Sequence, residues 1–155
     1  MKIVIVKEFK TKVGLKGFIV AHPSGHLNGY VEAPESLKNA PYHEIHHEVD
    51  VHGGITFGAD VLPVDDYENS PIVFGFDTNH LGDRPDPDRA VKYGCLDPKN
   101  PKDKSFYDSV KGSLGIFDGT VKDEEYVKEE IEKLAKQIKE ISGKWKDEDS
   151  LKWDT

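Results

Sequence analysis

The sequence contains one cysteine and no long apolar run. Cys95 has no second cysteine with which to form a disulfide inside the chain, which favours a cytoplasmic setting. No stretch of about 18 consecutive apolar residues is present, so no membrane span is expected. The first residues, MKIVIVKEFKTK, are too short and too charged for a signal peptide, and they lack a small-residue cleavage site.

Positive charge is also scarce. The 155 residues include 21 Lys and Arg against 29 Asp and Glu, a formal net charge of −8. Nucleic acids and anionic membranes attract basic surfaces, so neither is expected as the main partner. A local basic pocket for a small anion is compatible with this composition. The length suits a single domain with its own core.

Short apolar or β-branched segments bounded by turn residues predict strands at residues 2–9, 16–22, 26–31, 46–52, 55–57 and 72–76. The last of these is apolar on both faces, which is typical of an interior strand. Residues 84–104 contain four prolines and are predicted to form a long loop of the kind that often closes over a ligand. A short helix is predicted near residues 103–110.

The clearest helix signal lies at residues 123–141. Apolar side chains recur there at spacings of three to five, at Tyr126, Val127, Ile131, Leu134, Ile138 and Ile141. Thr120 with Asp123 resembles a capping box, and Gly143 stands where a C-terminal cap belongs. We therefore predict a single α+β domain over residues 1–143, with a mainly antiparallel sheet covered by one long C-terminal amphipathic helix.

Residues 144–155 form a polar tail with two tryptophans, Trp145 and Trp153. Tryptophan is costly to leave in water and is favoured at protein interfaces. The tail therefore predicts a homo-oligomer, in the form of a dimer.

Two stretches hold the candidate site, VDVHGGITF at residues 49–57 and GFDTNHLGD at residues 75–83. Each reads as a strand that runs into a turn, where polar side chains can be held rigidly and still be exposed. His52, Asp77, His80 and Asp83 are of the types used for metal ligation and for proton transfer near neutral pH. The adjacent Gly53-Gly54 pair allows a ligand to approach the backbone closely. We expect His52, Asp77 and His80 to lie within ~10 Å of one another in one cleft.

Residues 43–47, HEIHH, match the zinc-protease pattern H-E-x-x-H as a string. Pro41 precedes the match, and the residues after it predict a strand rather than a helix. We therefore interpret His43, His46 and His47 as part of a surface strand or loop.

Four blocks of the chain, in order, resemble a family of small bacteriophage and prophage proteins. They are HLNGYVEAP at residues 26–34, VDVHGGITF, VFGFDTNHLGD at residues 73–83, and DEEYVKEEIEKLAKQ at residues 123–137. The resemblance covers roughly residues 16–137 and implies an α+β fold and a viral or prophage context. The motif polar positions that it carries over are His52, Gly53, Gly54, Thr56, Asp77, His80 and Asp83. It supplies no substrate.

Two functions of different classes stay open at this point. In the first, the protein binds a small polar, phosphorylated or nucleotide-like molecule, such as a signal of a bacterial defence system, and sequesters it. Arg84 and Arg89, in the loop after the candidate site, would offset the charge of that ligand. In the second, the protein is a metal-dependent hydrolase, with His52, Asp77, His80 and Asp83 around a divalent metal ion such as Zn²⁺ or Mn²⁺.

Overall fold

The computed structural model describes residues 1–40, 45, 48–65, 67–79, 82–117 and 119–144. His80, the three histidines of the HEIHH motif and both tail tryptophans lie outside the described residues, and so does the dimer contact predicted for the tail. Within the described ranges, no helix has the length and apolar character needed to cross a membrane.

Five strands form one antiparallel sheet, as the sequence predicts. They are β1 (Val4–Lys10), β2 (Lys16–Ala21), β3 (Leu27–Glu32), β4 (Phe57–Val61) and β5 (Ile72–Phe76). Their spatial order is β1-β2-β3-β5-β4, and every neighbouring pair is antiparallel. The fully apolar β5 lies between two partners, so the prediction of an interior strand is confirmed.

In the described part of the chain after β5, three α-helices follow the sheet: α1 (Pro87–Lys92), α2 (Pro101–Gly112) and α3 (Glu124–Lys144). The predicted long loop at residues 84–104 is therefore wrong where α1 and the first turn of α2 lie. Asp86 and Asn100 cap these helices through their side chains, and a proline occupies the first turn of each. Proline is well tolerated there because its missing N–H would have no partner inside the helix.

The long C-terminal helix α3 confirms the strongest sequence prediction. The carboxylate of Asp123 accepts a hydrogen bond from the backbone N–H of Tyr126 at 2.8 Å and so caps the helix start. The predicted helix end at Ile141 with a cap at Gly143 is wrong, because Gly143 lies inside the helix, which runs on to Lys144.

Helix α3 packs on one face of the sheet, mainly over β2 and β3. Ile131 lies directly over two glycines: a Cβ added at Gly17 or Gly29 would stand 2.7 or 2.8 Å from a carbon of Ile131. These glycines allow the helix to approach the strands closely. The opposite face of the sheet carries a second apolar cluster, formed by Phe18, Val20, Tyr30, Leu62 and Val73.

The predicted strand at residues 46–52 is wrong over its described part, because residues 48–52 join no strand. The alternation is real as a burial pattern, since Val49 and Val51 point into the core. Side chains of α3 take the place of a partner strand. Gln137 bonds both the N–H (2.7 Å) and the carbonyl (2.9 Å) of Asp50, and Glu130 accepts from the N–H of His52 at 2.8 Å. The strand predicted at residues 55–57 begins only at Phe57.

Candidate functional site

His52 lies at the centre of a hydrogen-bonded chain that joins three separate segments. Its Nε2 lies 2.8 Å from Oδ2 of Asp83, and its Nδ1 lies 2.5 Å from the hydroxyl of Tyr126 on α3. The ionised carboxylate can only accept, so Nε2 donates to it and Nδ1 accepts from the phenol. Burial, with the nearby carboxylates of Glu130 and Asp83, raises the pKa of Tyr126 and keeps its hydroxyl protonated for this bond.

Asp83 is the most buried of these hydrogen-bonded residues, with a side chain that is 1% exposed. Its Oδ1 lies 3.2 Å from Nζ of Lys122, which also contacts the hydroxyl of Thr120 at 2.5 Å. The backbone also joins these two segments, because Asp83 and Thr120 form an isolated parallel β-bridge. We call His52, Asp83, Lys122 and Tyr126 the helix-side cluster. The contacts with His52 and Lys122 compensate the charge of Asp83, which lets its carboxylate stay buried.

The two glycines beside His52 both adopt positive φ, +64° at Gly53 and +80° at Gly54. Most other residues would be strained in this conformation. Among the described residues other than its two chain neighbours, no atom lies within 4 Å of the position that a Cβ would take at Gly54. The turn therefore presents open backbone next to the cluster. Thr56, the next predicted site residue, has an exposed side chain, and its N–H donates to the carbonyl of Gly75.

Asp77 belongs to a second polar group, on the face of the sheet away from α3. It follows β5 directly, and its charge acts on the imidazole of His22 at the end of β2. Between them, Asn28 of β3 places its Nδ2 2.8 Å from Nε2 of His22. We call His22, Asn28 and Asp77 the strand-end row. The structure thus pairs His52 with Asp83 and groups Asp77 with side chains that the sequence analysis did not select.

His26 stands close to both groups and is 4% exposed. Its Nδ1 lies 2.7 Å from the hydroxyl of Ser24, and among the described residues its Nε2 has no hydrogen-bond partner. Burial lowers the pKa of His26 to about 4, against a smaller opposing effect of Asp83, with Arg89 and His22 lowering it further. Burial likewise lowers the pKa of His22, opposed by Asp77. Both imidazoles are therefore neutral near pH 7.

This neutral histidine predicts a pH dependence of stability. Above pH 6.5 His26 is neutral in both the folded and the unfolded chain, so it contributes nothing to the pH dependence of the free energy of unfolding. Between pH 6.5 and about 4 only the unfolded chain gains a proton, so the free energy of unfolding falls as the pH falls. We expect His26 to account for a loss of about 2–3 kcal/mol over this range.

Urea unfolding at a series of pH values measures the effect, with His26→Gln as the comparison because glutamine does not titrate. The difference in stability between wild type and His26→Gln should shift by the same amount between pH 7 and pH 4. Parallel pH profiles for the two proteins would contradict the assignment.

The two predicted ligand-binding arginines are both engaged with backbone carbonyls. Arg89 donates from Nε and Nη2 to the carbonyl of Gly25, and from Nη1 to that of Lys122. Arg84 donates from Nη1 to the carbonyl of Phe117 at 3.2 Å. Arg89 thus ties α1 to the turn between β2 and β3, while Arg84 makes a single such bond next to Asp83.

The predicted metal ligands were His52, Asp77, His80 and Asp83, and His80 lies outside the described residues. In the part of the chain that the structure describes, no group of three or more His, Cys, Asp or Glu side chains is placed to hold a metal ion.

Sequence reasoning missed His22, His26, Asn28, Lys122 and Tyr126. A signal for the two histidines exists in HPSGH at residues 22–26, because residues on either side of a tight turn face each other across a hairpin. The N–H of His22 does bond the carbonyl of His26 at 3.1 Å. The sequence pattern places Tyr126 only in the apolar stripe of α3 and gives no sign of its contact with His52. Comparisons of the chain with protein-family models, with curated proteins and with solved structures find no match.

Proposed function

We propose that the protein binds a small polar, nucleotide-like ligand at the end of the sheet beside His52 and sequesters it. The resemblance to bacteriophage and prophage proteins supports a setting in the host cytoplasm, with a signal of a bacterial defence system as the ligand. The binding residues in this proposal are His52, Gly53, Gly54, Asp83 and Arg84.

The observation that carries the proposal is that both ring nitrogens of His52 are engaged inside the protein. Asp83 accepts from Nε2 and Tyr126 donates to Nδ1. A general base needs a ring nitrogen within hydrogen-bond reach of the substrate proton, and a metal ligand needs an available lone pair. An imidazole held at both nitrogens has a fixed orientation and no ring lone pair left for a metal ion, which favours binding over metal ligation.

The open turn supplies the approach to this imidazole. The space at Gly54 admits a ligand to the backbone, and the T-shaped contact of His52 with Tyr126 fixes the orientation of the imidazole ring. Arg84 is the better placed of the two predicted arginines to meet a phosphate, because Arg89 is committed to two carbonyls through three nitrogens. A phosphate beside Asp83 needs such a cation.

The test is calorimetry of the purified protein against nucleoside mono-, di- and triphosphates in EDTA. We expect Tyr126→Phe to weaken binding about tenfold. The substitution removes the hydrogen bond to Nδ1 of His52, so the imidazole is no longer held in one orientation, and the loss of one hydrogen bond corresponds to about a tenfold change. Tyr107→Phe is the matched control, since its hydroxyl bonds the exposed Asp88 elsewhere on the surface. Arg84→Ala should weaken the binding of phosphorylated ligands and leave the binding of the corresponding nucleosides unchanged.

The outcomes separate the two functions. Binding in EDTA without turnover supports sequestration. Turnover that requires a divalent metal and disappears in His52→Ala would instead support the metal-dependent hydrolase. If no nucleotide binds to the wild-type protein with or without metal, the proposal is wrong.

A further inference from the structure

Strand β1 lies at one end of the sheet order, so in the described part of the chain only one of its two edges is paired with another strand. Its outer edge is bounded at both ends. A register shift follows Ile5, and irregularities of this kind bend a strand. At the other end, the carboxylate of Glu132 accepts from the backbone N–H of Lys12 at 3.0 Å. Residues 7–11 lie between these points, with Phe9 at their centre. We call this stretch the free edge.

The backbone groups of Glu8 and Lys10 point outward at the free edge. Thr11 donates its N–H to the carbonyl of Leu15, across the turn between β1 and β2. In an antiparallel pair, successive residues alternate between bonding the partner strand and pointing away from it. Phe9 therefore bonds β2, whereas Glu8 and Lys10 present their N–H and C=O groups at the free edge. Such a row of backbone groups is a template for another strand.

The side chains of Glu8 and Lys10 share the face of the sheet away from α3. Glu8 pairs across the strands with Phe18, which belongs to the apolar cluster of that face, and Lys10 pairs with Lys16. Nζ of Lys16 lies 3.5 Å from the carboxylate of Glu8, whereas no ion pair joins Lys10 to a carboxylate of the described residues. Like charges directly opposite each other are destabilising. A further carboxylate beside Lys10 would therefore be favourable.

A second copy of the same edge supplies that carboxylate. When two β1 strands pair antiparallel about a two-fold axis at Phe9, Glu8 of each copy stands opposite Lys10 of the other. Since both residues have outward backbone groups, each such pair also exchanges two main-chain hydrogen bonds. A register centred on Glu8 or on Lys10 would instead oppose like charges. Lysine at a sheet edge usually discourages pairing, and here it leaves one register that is complementary.

Phe9 adds an apolar contact on the face that α3 covers. A Cβ added at Gly17 would meet both Phe9 and Ile131, which places the Phe9 ring on that face. The ring is only half-buried, because α3 packs mainly over β2 and β3, and Lys128 lies 5.5 Å from the ring centroid. In the register centred on Phe9, the two rings form a non-hydrogen-bonded pair, in which opposite side chains are closest. Aromatic pairs of this kind stabilise a sheet.

We propose that the free edge of β1 is the interface of a homodimer, in which the two sheets join into one continuous sheet about a two-fold axis at Phe9. The interface is independent of the proposed ligand. It assigns the homo-oligomer that the sequence predicts to a surface within the described residues, in place of the tryptophan tail. Because the free edge is short, the dimer is expected to be weak, with association in the micromolar range.

The experiment is sedimentation velocity at micromolar concentrations with wild type, Glu8→Lys, Lys10→Glu and an equimolar mixture of the two variants. We expect each variant alone to associate at least tenfold more weakly than wild type, because both symmetry-related pairs become repulsive. The mixture should recover association, since two positive side chains of one variant then face two negative side chains of the other. Lys104→Glu is the control, because it changes the net charge as Lys10→Glu does but lies on α2, where Lys104 pairs with Asp108.

Circular dichroism of each variant verifies that it is folded. A wild-type protein that stays monomeric at these concentrations would overturn the interface. Association that is the same in wild type, Glu8→Lys and Lys10→Glu would also overturn it, and its loss on replacing Trp145 and Trp153 with alanine would then place the contact in the tail. Weaker association of both single variants without recovery in the mixture would contradict the register centred on Phe9.

Discussion

Replacing Gly25 with alanine is expected to lower the free energy of unfolding by about 3 kcal/mol or more. Gly25 has φ of +86°, and an added Cβ would stand 1.7 Å from the carbonyl oxygen of Asp86. The left-handed conformation costs about 1–2 kcal/mol for a non-glycine residue, and the overlap with fixed backbone adds about 1–3 kcal/mol. The displaced segment includes the N-terminal cap of α1, and the carbonyl of Gly25 is the acceptor for Arg89.

Gly94→Ala is the control for the conformational part of this loss. Gly94 also has positive φ, +81°, but no atom of the described residues beyond its chain neighbours lies within 4 Å of its Cβ position. Denaturant unfolding should therefore show a loss of only about 1 kcal/mol for Gly94→Ala. Equal losses for the two variants would mean that the close approach of Gly25 to Asp86 adds nothing to the cost of an alanine at position 25.

Replacing Asp83 with asparagine is expected to destabilise the fold by about 3 kcal/mol and to abolish ligand binding. The substitution keeps the shape of the side chain but removes the negative charge beside Lys122. Its single amide oxygen can accept from either His52 or Lys122, so its NH2 group faces the other donor. Breaking one partner of a buried ionic group leaves the other uncompensated, which typically costs about 3–5 kcal/mol when the partners are fully buried. Here Lys122 and His52 are 17% and 16% exposed, so the lower end of that range applies.

Asp88→Asn is the matched control, because this carboxylate also bonds a lysine and a tyrosine, Lys111 and Tyr107, but on the exposed surface. Exposed ion pairs contribute little to stability, so its unfolding curve should lie close to that of wild type. Denaturant unfolding and nucleotide calorimetry are measured on both variants. An Asp83→Asn protein as stable as Asp88→Asn would contradict the role of the buried carboxylate.

Part of the fold follows from local sequence. The stripe of apolar residues in α3 and the fully apolar β5 are periodic patterns, and each is found where the sequence predicts it. The start of α3 is also set by a local cap, but the capping residue is Asp123, so the predicted capping box at Thr120 is wrong. The missed helix α1 also had a local signal in Asp86-Pro87, a capping residue followed by a proline suited to the first turn.

The segment around residues 49–52 shows what local sequence does not contain. The alternation of apolar and polar residues there correctly indicates that Val49 and Val51 are buried. It does not indicate a paired strand, because an extended segment buries alternate residues whether or not another strand pairs with it. The backbone partners of Asp50 and His52 are Gln137 and Glu130, about 80 residues further along the chain. A side chain on a distant helix can satisfy these groups, so the alternation by itself cannot identify a strand.

The sequence by itself determined the α+β class, the interior β5, the long amphipathic α3 and the candidacy of His52 and Asp83, because each depends on residue type and spacing within a short window. The tertiary structure decided the partners of those residues. Tyr126 reaches His52 from α3, Lys122 reaches Asp83 from the preceding segment, and three strands bring His22, Asn28 and Asp77 into one row. These contacts depend on the sheet order β1-β2-β3-β5-β4 and on the side of the sheet that α3 covers, and both are set by packing between segments distant in sequence.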